Sequence, residues 1–331
     1  MISVIMANYN GAPYLAGAIR SVLDQTLSDL EIIFVDDGSS DDSVKIAEDI
    51  AREDGRLRVF SGKRMGGPAP VRNFALDQAS GDWIAIVDSD DLIRADRLEK
   101  MLAAAKEYRA DILIDDLAIF PTNGPCRVST MLEGDLRFGP VQIHECDYIM
   151  SNRLYGKGTK LGYAKPLMRR SLLETHKLRY NETMPIGEDY DLVVRLLAVG
   201  ARMVTIPEAM YFYRKHDKSI SHRLDARALA ALKKAAEGAL QHSTPHAEVT
   251  AAHAARLNSI SRAIAFDEVI RALKEGKIGG AIQVAIDDPR VVPMLRMPVM
   301  DRLKRILPNP FRKRHPEIER TLAELRSGYG A

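Results

Sequence analysis

The chain is predicted to be an α/β protein: a mostly parallel sheet with helices on both faces, followed by a helical C-terminal extension. Three observations carry this expectation. From Ile2 to Asp115, apolar runs of strand length alternate with stretches of helical period. The run Trp83 to Val87 is apolar throughout, as a strand buried on both faces is. Beyond about His222 the composition turns Ala-rich and helical, as in "RALAALKKAAEGAL". Strands alternating with helices favour parallel pairing through helical crossovers.

Ile2 to Ala7 reads as the first strand, and Tyr14, Leu15, Ala18, Ile19, Val22 and Leu23 then repeat at helical spacing with Pro13 in the first turn. Glu31 to Asp36 is the second strand. Ser39 to Asp42 offers caps for a helix whose stripe is Val44, Ala47, Ile50 and Ala51. Leu57 to Ser61 is a strand, Val71 to Ala79 a helix, Trp83 to Val87 a strand, Ala95 to Tyr108 a helix and Ile112 to Asp115 a fifth strand. From Pro121 to Gly162 no element is assigned. "IGEDYDLVVRLLAVG", Ile186 to Gly200, is a helix stopped by glycine, and Arg202 to Pro207 a strand.

The chain has 331 residues, a net charge of +2 and 28% charged residues, which fits a soluble protein and argues against a nucleic-acid partner. No apolar run approaches the roughly 18 residues of a membrane span, and the N-terminus has no secretory pattern, so a cytoplasmic protein is expected. Cys126 and Cys146 have neither metal-ligand nor redox spacing and read as reduced structural thiols. Charge is uneven: "RMPVMDRLKRILPNPFRKR", Arg296 to Arg314, holds seven Lys/Arg against one Asp, interleaved with apolar residues. That mixture suits a peripheral membrane contact and equally a solvated basic helix end.

The chemistry is concentrated where strands end. In "AIVDSDDLI" three acids, Asp88, Asp90 and Asp91, follow a fully apolar strand. Ligands of open α/β sheets bind at that end, and crowded hard oxygens there suit Mn²⁺ or Mg²⁺ with a diphosphate. An acidic turn capping the next helix would look similar. "MANYNGAP" can hold a base or phosphate against backbone amides; Asp37 in "VDDGSSDD" can accept from a base edge or simply shape a capping loop. Arg72 in "GGPAPVRNFA" suits a diphosphate or plain solvent exposure. Glu188 and Asp189 open a helix, where the dipole favours carboxylates in any case. His216 in "YRKHDKSIS" can ligate metal or touch phosphate.

In this order, "VIMANYNGAPYLAGAIRSVLDQT", "IIFVDDGSSDDS", "GGPAPVRNFALDQASGDWIAIVDSDDLIRADRLEKM", "GEDYDLVVRLL" and "YRKHDKSIS" resemble the family 2 glycosyltransferases of the GT-A fold, over roughly Ile2 to Ser221. The resemblance implies a GT-A nucleotide-sugar domain over 1–221 and a helical region over 222–331 for acceptor, membrane or dimer contacts. It implies inverting transfer from a nucleotide sugar, most often a UDP-sugar such as UDP-glucose, to an acceptor hydroxyl. Ala7 and Tyr9 would contact the nucleotide, Asp37 the uracil, Arg72 the nucleotide, Asp88 and Asp90 the donor, Asp90 and Asp91 with His216 the metal, and Asp189 would be the catalytic base. Ala7 departs from the Pro or Thr of many members. The Gln-x-x-Arg-Trp motif of processive synthases is missing, and Trp83 is the single Trp, which implies addition of one sugar. Family members of this size commonly build exopolysaccharide, lipopolysaccharide or capsule units on lipid carriers, which implies a lipid-linked glycan acceptor at the inner face of the plasma membrane.

Two rival readings share parts of this pattern. A sugar-nucleotide nucleotidyltransferase would need a Gly-rich, Arg-containing loop after the first strand, and "ANYNGAP" does not supply it. A non-catalytic nucleotide-binding scaffold would not require Asp189.

Overall fold

The computed structural model describes residues 1–122, 128–216, 224–241, 246–296 and 315–329. Cys126, residues 217–221 of the last motif and 297–314 of the basic apolar stretch lie outside the described residues; Cys146 is a free thiol.

The alternation expected from the sequence is realised as β1 (Ile2–Asn8), α1 (Ala12–Leu23), β2 (Leu30–Asp36), α2 (Ser43–Glu53), β3 (Leu57–Ser61), α3 (Pro68–Gln78), β4 (Trp83–Ile86), β5 (Leu92–Ile93), α4 (Arg97–Glu107) and β6 (Ile112–Pro121). Then follow β7 (Ser129–Thr130), β8 (Val141–Ile143), α5 (Glu145–Ser151), β9 (Leu167–Arg169), α6 (Arg170–Thr175), α7 (Glu188–Ala198) and β10 (Met203–Lys215). The C-terminal region is α8 (Ala226–Gln241), α9 (Ala247–Lys274), α10 (Ile278–Asp287) and α11 (Pro316–Tyr329).

One sheet runs in the order β3-β2-β1-β4-β9-β6-β10-β5, with β7 on β6 and β8 on β10. β1 pairs in parallel with both β2 and β4, so the strand order reverses beside β1. Ligands of doubly wound sheets bind in the crevice opened by such a reversal, at the carboxyl ends of the strands. Both faces of β1 are covered: Ile2, Val4, Ile5 and Met6 are fully buried.

Two differences from the sequence reading matter for the site. β9 is antiparallel to β4 and β6 and wedges between them. At three residues it is too short to show a period, so it was not anticipated. β10 runs 13 residues instead of stopping at Pro207, because its register shifts between Thr205 and Ala209. A bulge of this kind lets a strand pass a proline and turn without ending. The first half pairs with β6 and β8, the second with β6 and β5, and the strand thereby carries Tyr211 and Arg214 into the crevice, with His216 just beyond its end.

The C-terminal helices are packed into the same body. Val249 and Ala252 of α9 belong to the main core, and Ile260 packs with Met184 and Leu232. Leu322 of α11, fully buried, closes over Leu92, Phe120 and Phe212 at the β5/β10 edge. No described helix is long and apolar enough to cross a membrane.

Beneath the crevice lies a fully buried ion pair. Arg97 Nε and Nη2 donate to the two oxygens of Asp115, each at 2.9 Å, and both side chains have no exposure. Arg97 Nη2 also donates to the Lys165 carbonyl at 2.6 Å, and the guanidinium lies 4.9 Å from the Tyr211 ring centre. Removing one charge of such a pair leaves the other buried and unpaired. Asp115→Asn is therefore expected to lower unfolding free energy by about 3 kcal/mol, read as the shift in urea midpoint at constant slope.

Candidate active site

Two turns form one wall of the crevice. Asn8 Nδ2 donates to Asp36 at 2.8 Å and to Ser39 Oγ at 3.2 Å, while the Gly11 amide donates to Ser43 Oγ and the Ala12 amide to Asp41. The turn after β1 is thus tied to the turn after β2. Gly11 is required by this closeness, since a Cβ there would lie 2.2 Å from Asn8 Oδ1. Ala7 is part-buried between the buried Met6 and Asn8 at the end of β1, and Tyr9 is 46% exposed with the Arg64 guanidinium 4.5 Å over its ring.

Asp37 is nearly buried, and its carboxylate draws in the loop before α3. It accepts from the amides of Met65, Gly66 and Gly67, the last two at 3.1 and 3.0 Å. Gly66 and Gly67 hold φ of +103° and +134°, which side chains disfavour. A carboxylate has about four acceptor positions, so roughly one is left on Asp37.

The acid cluster lies past the end of β4. Ligand oxygens of Asp88, Asp90 and Asp91 all fall within 4.8 Å of one another. Asp91 is buried, and accepts from Tyr211 Oη at 2.8 Å and from the Arg214 amide at 2.6 Å. Burial, then the charges of Asp90 and Asp88, push its carboxyl well above the ordinary carboxylate range. Asp90 meets His216 Nε2 at 2.9 Å, and the His216 ring stacks on Tyr14 with centroids 5.5 Å apart. Two carboxylates and an imidazole with hard oxygen donors foremost fit a divalent cation such as Mn²⁺ or Mg²⁺. A cation would also relieve the repulsion that raises Asp91.

Asp88 turns the other way, to two cations. Arg72 Nη2 meets Asp88 at 2.9 Å, while Nη1 meets Glu188 at 2.7 Å and Asp189 at 3.0 Å. Lys165 Nζ meets Asp88 at 2.7 Å and Asp189 at 3.3 Å. Arg72 and Lys165 therefore bridge the end of β4 to the N-terminus of α7. Burial opposes ionisation of Asp88, but Lys165 and Arg72 outweigh it and hold the carboxyl at about 2. Burial and the Asp189 charge raise Glu188. Burial opposes the charge on Lys165, yet Asp88 and Asp189 raise its pKa.

The structure thus gathers Asp88, Asp90, Asp91, Asp189, Arg72 and His216 into one chain of contacts, and sets Ala7, Tyr9 and Asp37 on the adjoining wall. Arg72 is buried among carboxylates, so the solvent-exposed alternative for it does not hold. Sequence reasoning missed Lys165 and Tyr211. Neither "YAKPLM" nor "AMYFYR" marks its residue by spacing or motif, and only the pairing of β9 with β4 and of β10 with β6 brings Lys165 and Tyr211 to the acids.

A family model described as Glycosyl transferase family 2 matches residues 3–175. The succinoglycan biosynthesis protein ExoO of Rhizobium meliloti (strain 1021) is 33% identical over 305 residues, 92% of this chain and 86% of that protein. ExoU of the same organism, also named a succinoglycan biosynthesis protein, is 32% identical over 67% of this chain and 65% of its own. Among solved structures, S. aureus TarS 1-349 in complex with UDP-GlcNAc superposes with a TM-score of 0.60 at 17% identity, covering 87% of this chain and 91% of that one. The mannosyltransferase PcManGT from Pyrobaculum calidifontis, with GDP-Man and Mn²⁺, gives 0.53 at 19% identity over 88% and 80%. These two likenesses establish the fold.

Asp88 makes a testable contribution to stability. Its folded carboxyl sits near 2, below the ordinary 3.8, so the stabilisation is present above about pH 4 and is lost as pH falls toward 2. Urea unfolding across that window is expected to show a loss of about 2 kcal/mol that Asp88→Asn abolishes; an unchanged slope in the variant would contradict the ion-pair assignment.

Proposed function

The chain belongs to glycosyl transferase family 2 and is a glycosyltransferase, and from that premise we propose that it moves one sugar from a UDP-sugar, with inversion, to a hydroxyl of a lipid-linked glycan during bacterial surface or exopolysaccharide assembly. The single observation that carries this reading is the bridge of Arg72 and Lys165 between Asp88 and Asp189. It sets a carboxylate at a helix start at a constant separation from the acid cluster, as a base and a leaving-group site require. The likeness to ExoO and ExoU supports a role in polysaccharide synthesis. TarS, seen with UDP-GlcNAc, supports a UDP-sugar donor.

In this reading Tyr9 offers its ring to the base, and Asp37 gives its remaining acceptor position to the uracil N3–H. Ala7 lets the nucleotide approach β1, and Asp90 faces the ribose. Asp90, Asp91 and His216 would hold Mn²⁺ or Mg²⁺. A cation there supplies charge neutralisation for the departing nucleoside diphosphate. Asp189 accepts the acceptor's proton as the acceptor oxygen bonds to the anomeric carbon and the bond to the diphosphate oxygen breaks. A single displacement of this kind inverts the centre and needs no covalent nucleophile. Lys165 and Arg72 hold the Asp189 carboxylate in place. Residues 1–221 bind the donor, and 222–331 provide acceptor and inner-membrane-face contacts.

Two measurements test the assignment. Asp189→Asn should reduce kcat by about 10²–10⁴-fold while leaving UDP affinity within a factor of about 2; retained transfer would remove Asp189 from the mechanism. UDP titration by calorimetry should require Mn²⁺ and should fail in Asp91→Ala. Because the Asp91 carboxyl is raised, a cation must displace a proton from it. Binding should therefore release protons and tighten as pH rises; metal-independent UDP binding would overturn the cation assignment.

A further inference from the structure

α10 is built with its large side chains facing outward. Its inner face is Ala281 with Val284 and Ala285, packed on Phe266, Val269, Val291 and Met294. Its outer face carries Ile278, Ile282 and Ile286, which are 64%, 54% and 64% exposed and recur every four residues on one side of the helix. Leu273 before the helix and Val292 after it are exposed as well. Singly exposed apolar residues are ordinary, but Ile278, Ile282 and Ile286 share one face of the helix.

Positive charge predominates along this part of the chain. Between Arg271 and Arg296 the sequence has five Lys/Arg against three Asp/Glu, a net of +2. Arg271, Lys274, Lys277, Arg290 and Arg296 are exposed and flank the isoleucines in sequence. Lys277 meets Glu275 at 2.7 Å and Arg290 meets Asp288 at 2.7 Å, and Asp287 is also exposed. The sequence of 297–314 continues the same mixture of Lys/Arg with Met, Val, Leu, Ile and Phe.

We propose that the α10 face, Ile278, Ile282 and Ile286 with the cations flanking it, docks the enzyme on an anionic bilayer surface. An apolar stripe flanked by Lys and Arg satisfies both requirements of interfacial binding, partition of side chains below the headgroups and attraction to anionic lipid. A second copy of this chain would bring like charge against like, which disfavours pairing through this face. The proposal deepens the peripheral membrane reading given above, rests on it, and assigns it to an element that the sequence reading did not single out. α9 connects the surface to the crevice. Its Arg256 lies 3.8 Å from the ring centre of Tyr190, the neighbour of Asp189, and its end at Lys274 is about 27 Å further along the helix.

The test is co-sedimentation of the full-length protein with vesicles of phosphatidylcholine plus phosphatidylglycerol and with phosphatidylcholine alone. Wild type is expected to pellet with the anionic vesicles and to be released by high salt. I278Q/I282Q/I286Q is expected to lose partitioning by about 30-fold or more, with UDP binding and Tm unchanged. Lys274→Glu with Lys277→Glu should weaken binding to anionic vesicles only. Equal sedimentation of the isoleucine variant, or no vesicle binding by wild type, overturns the proposal. A dimer that the variant converts to monomer would make the face an interface between copies, and a lowered Tm would mean that the chain itself covers it; both also overturn it. UDP affinity separates these failures from failure of the donor-site reading.

Discussion

The buried pair of Arg97 and Asp115 is the interaction on which the crevice depends. Arg97 holds its carboxylate with two hydrogen bonds, donates a third to the Lys165 carbonyl and lies against the Tyr211 ring. Lys165 and Tyr211 are the residues that reach Asp88 and Asp91. Desolvating two charges is costly, and a pair of this kind is worth keeping when its remaining donors position something else. Here they position one polar residue from β9's approach and one from β10, on either side of β6.

Above that support, the site is governed by carboxylates in excess of cations. Asp88, Asp189 and Glu188 meet Arg72, and Lys165 meets Asp88 and Asp189, while among the described residues the side chains of Asp90 and Asp91 meet a histidine, a tyrosine hydroxyl and a backbone amide. The consequences separate along the cluster. Asp88, paired with two cations, stays ionised far into acid, whereas Asp91, buried beside two other acids, resists ionisation. The same four-residue turn therefore has one arm committed to the protein and another disposed toward an added positive charge. That division follows from which element each aspartate faces, since the residues are chemically identical.

The C-terminal helices link this chemistry to the surface. α9 buries Val249 and Ala252 in the main core and sets Arg256 over the Tyr190 ring, which packs it against α7. α11 packs Leu322 against Leu92, Phe120 and Phe212 of the adjacent strands β5, β6 and β10. α10 is the exception, with its largest side chains in solvent.

Much of the fold was legible in the sequence because its signals are local. The apolar runs at Ile2 and Trp83, the helical stripe beginning at Tyr14 and the glycine at Gly200 each report on a few neighbouring residues, and β1 to β4 with their helices follow from them. The acids were legible too, since a strand too apolar to tolerate charge stops abruptly at Asp88. What sequence could not reveal was partnership across distance. β9 is three residues long and carries no period; β10 continues past Pro207 only because a register shift with β6 accommodates it. Lys165 and Tyr211 acquire their roles from those pairings, and Arg72 acquires three carboxylate partners 16 to 117 positions away. Local patterning determined the strands, the helices and the acids that end them, because propensity and periodicity act over a few residues. Only the tertiary structure decided which cation meets which carboxylate, because that depends on how distant segments pack.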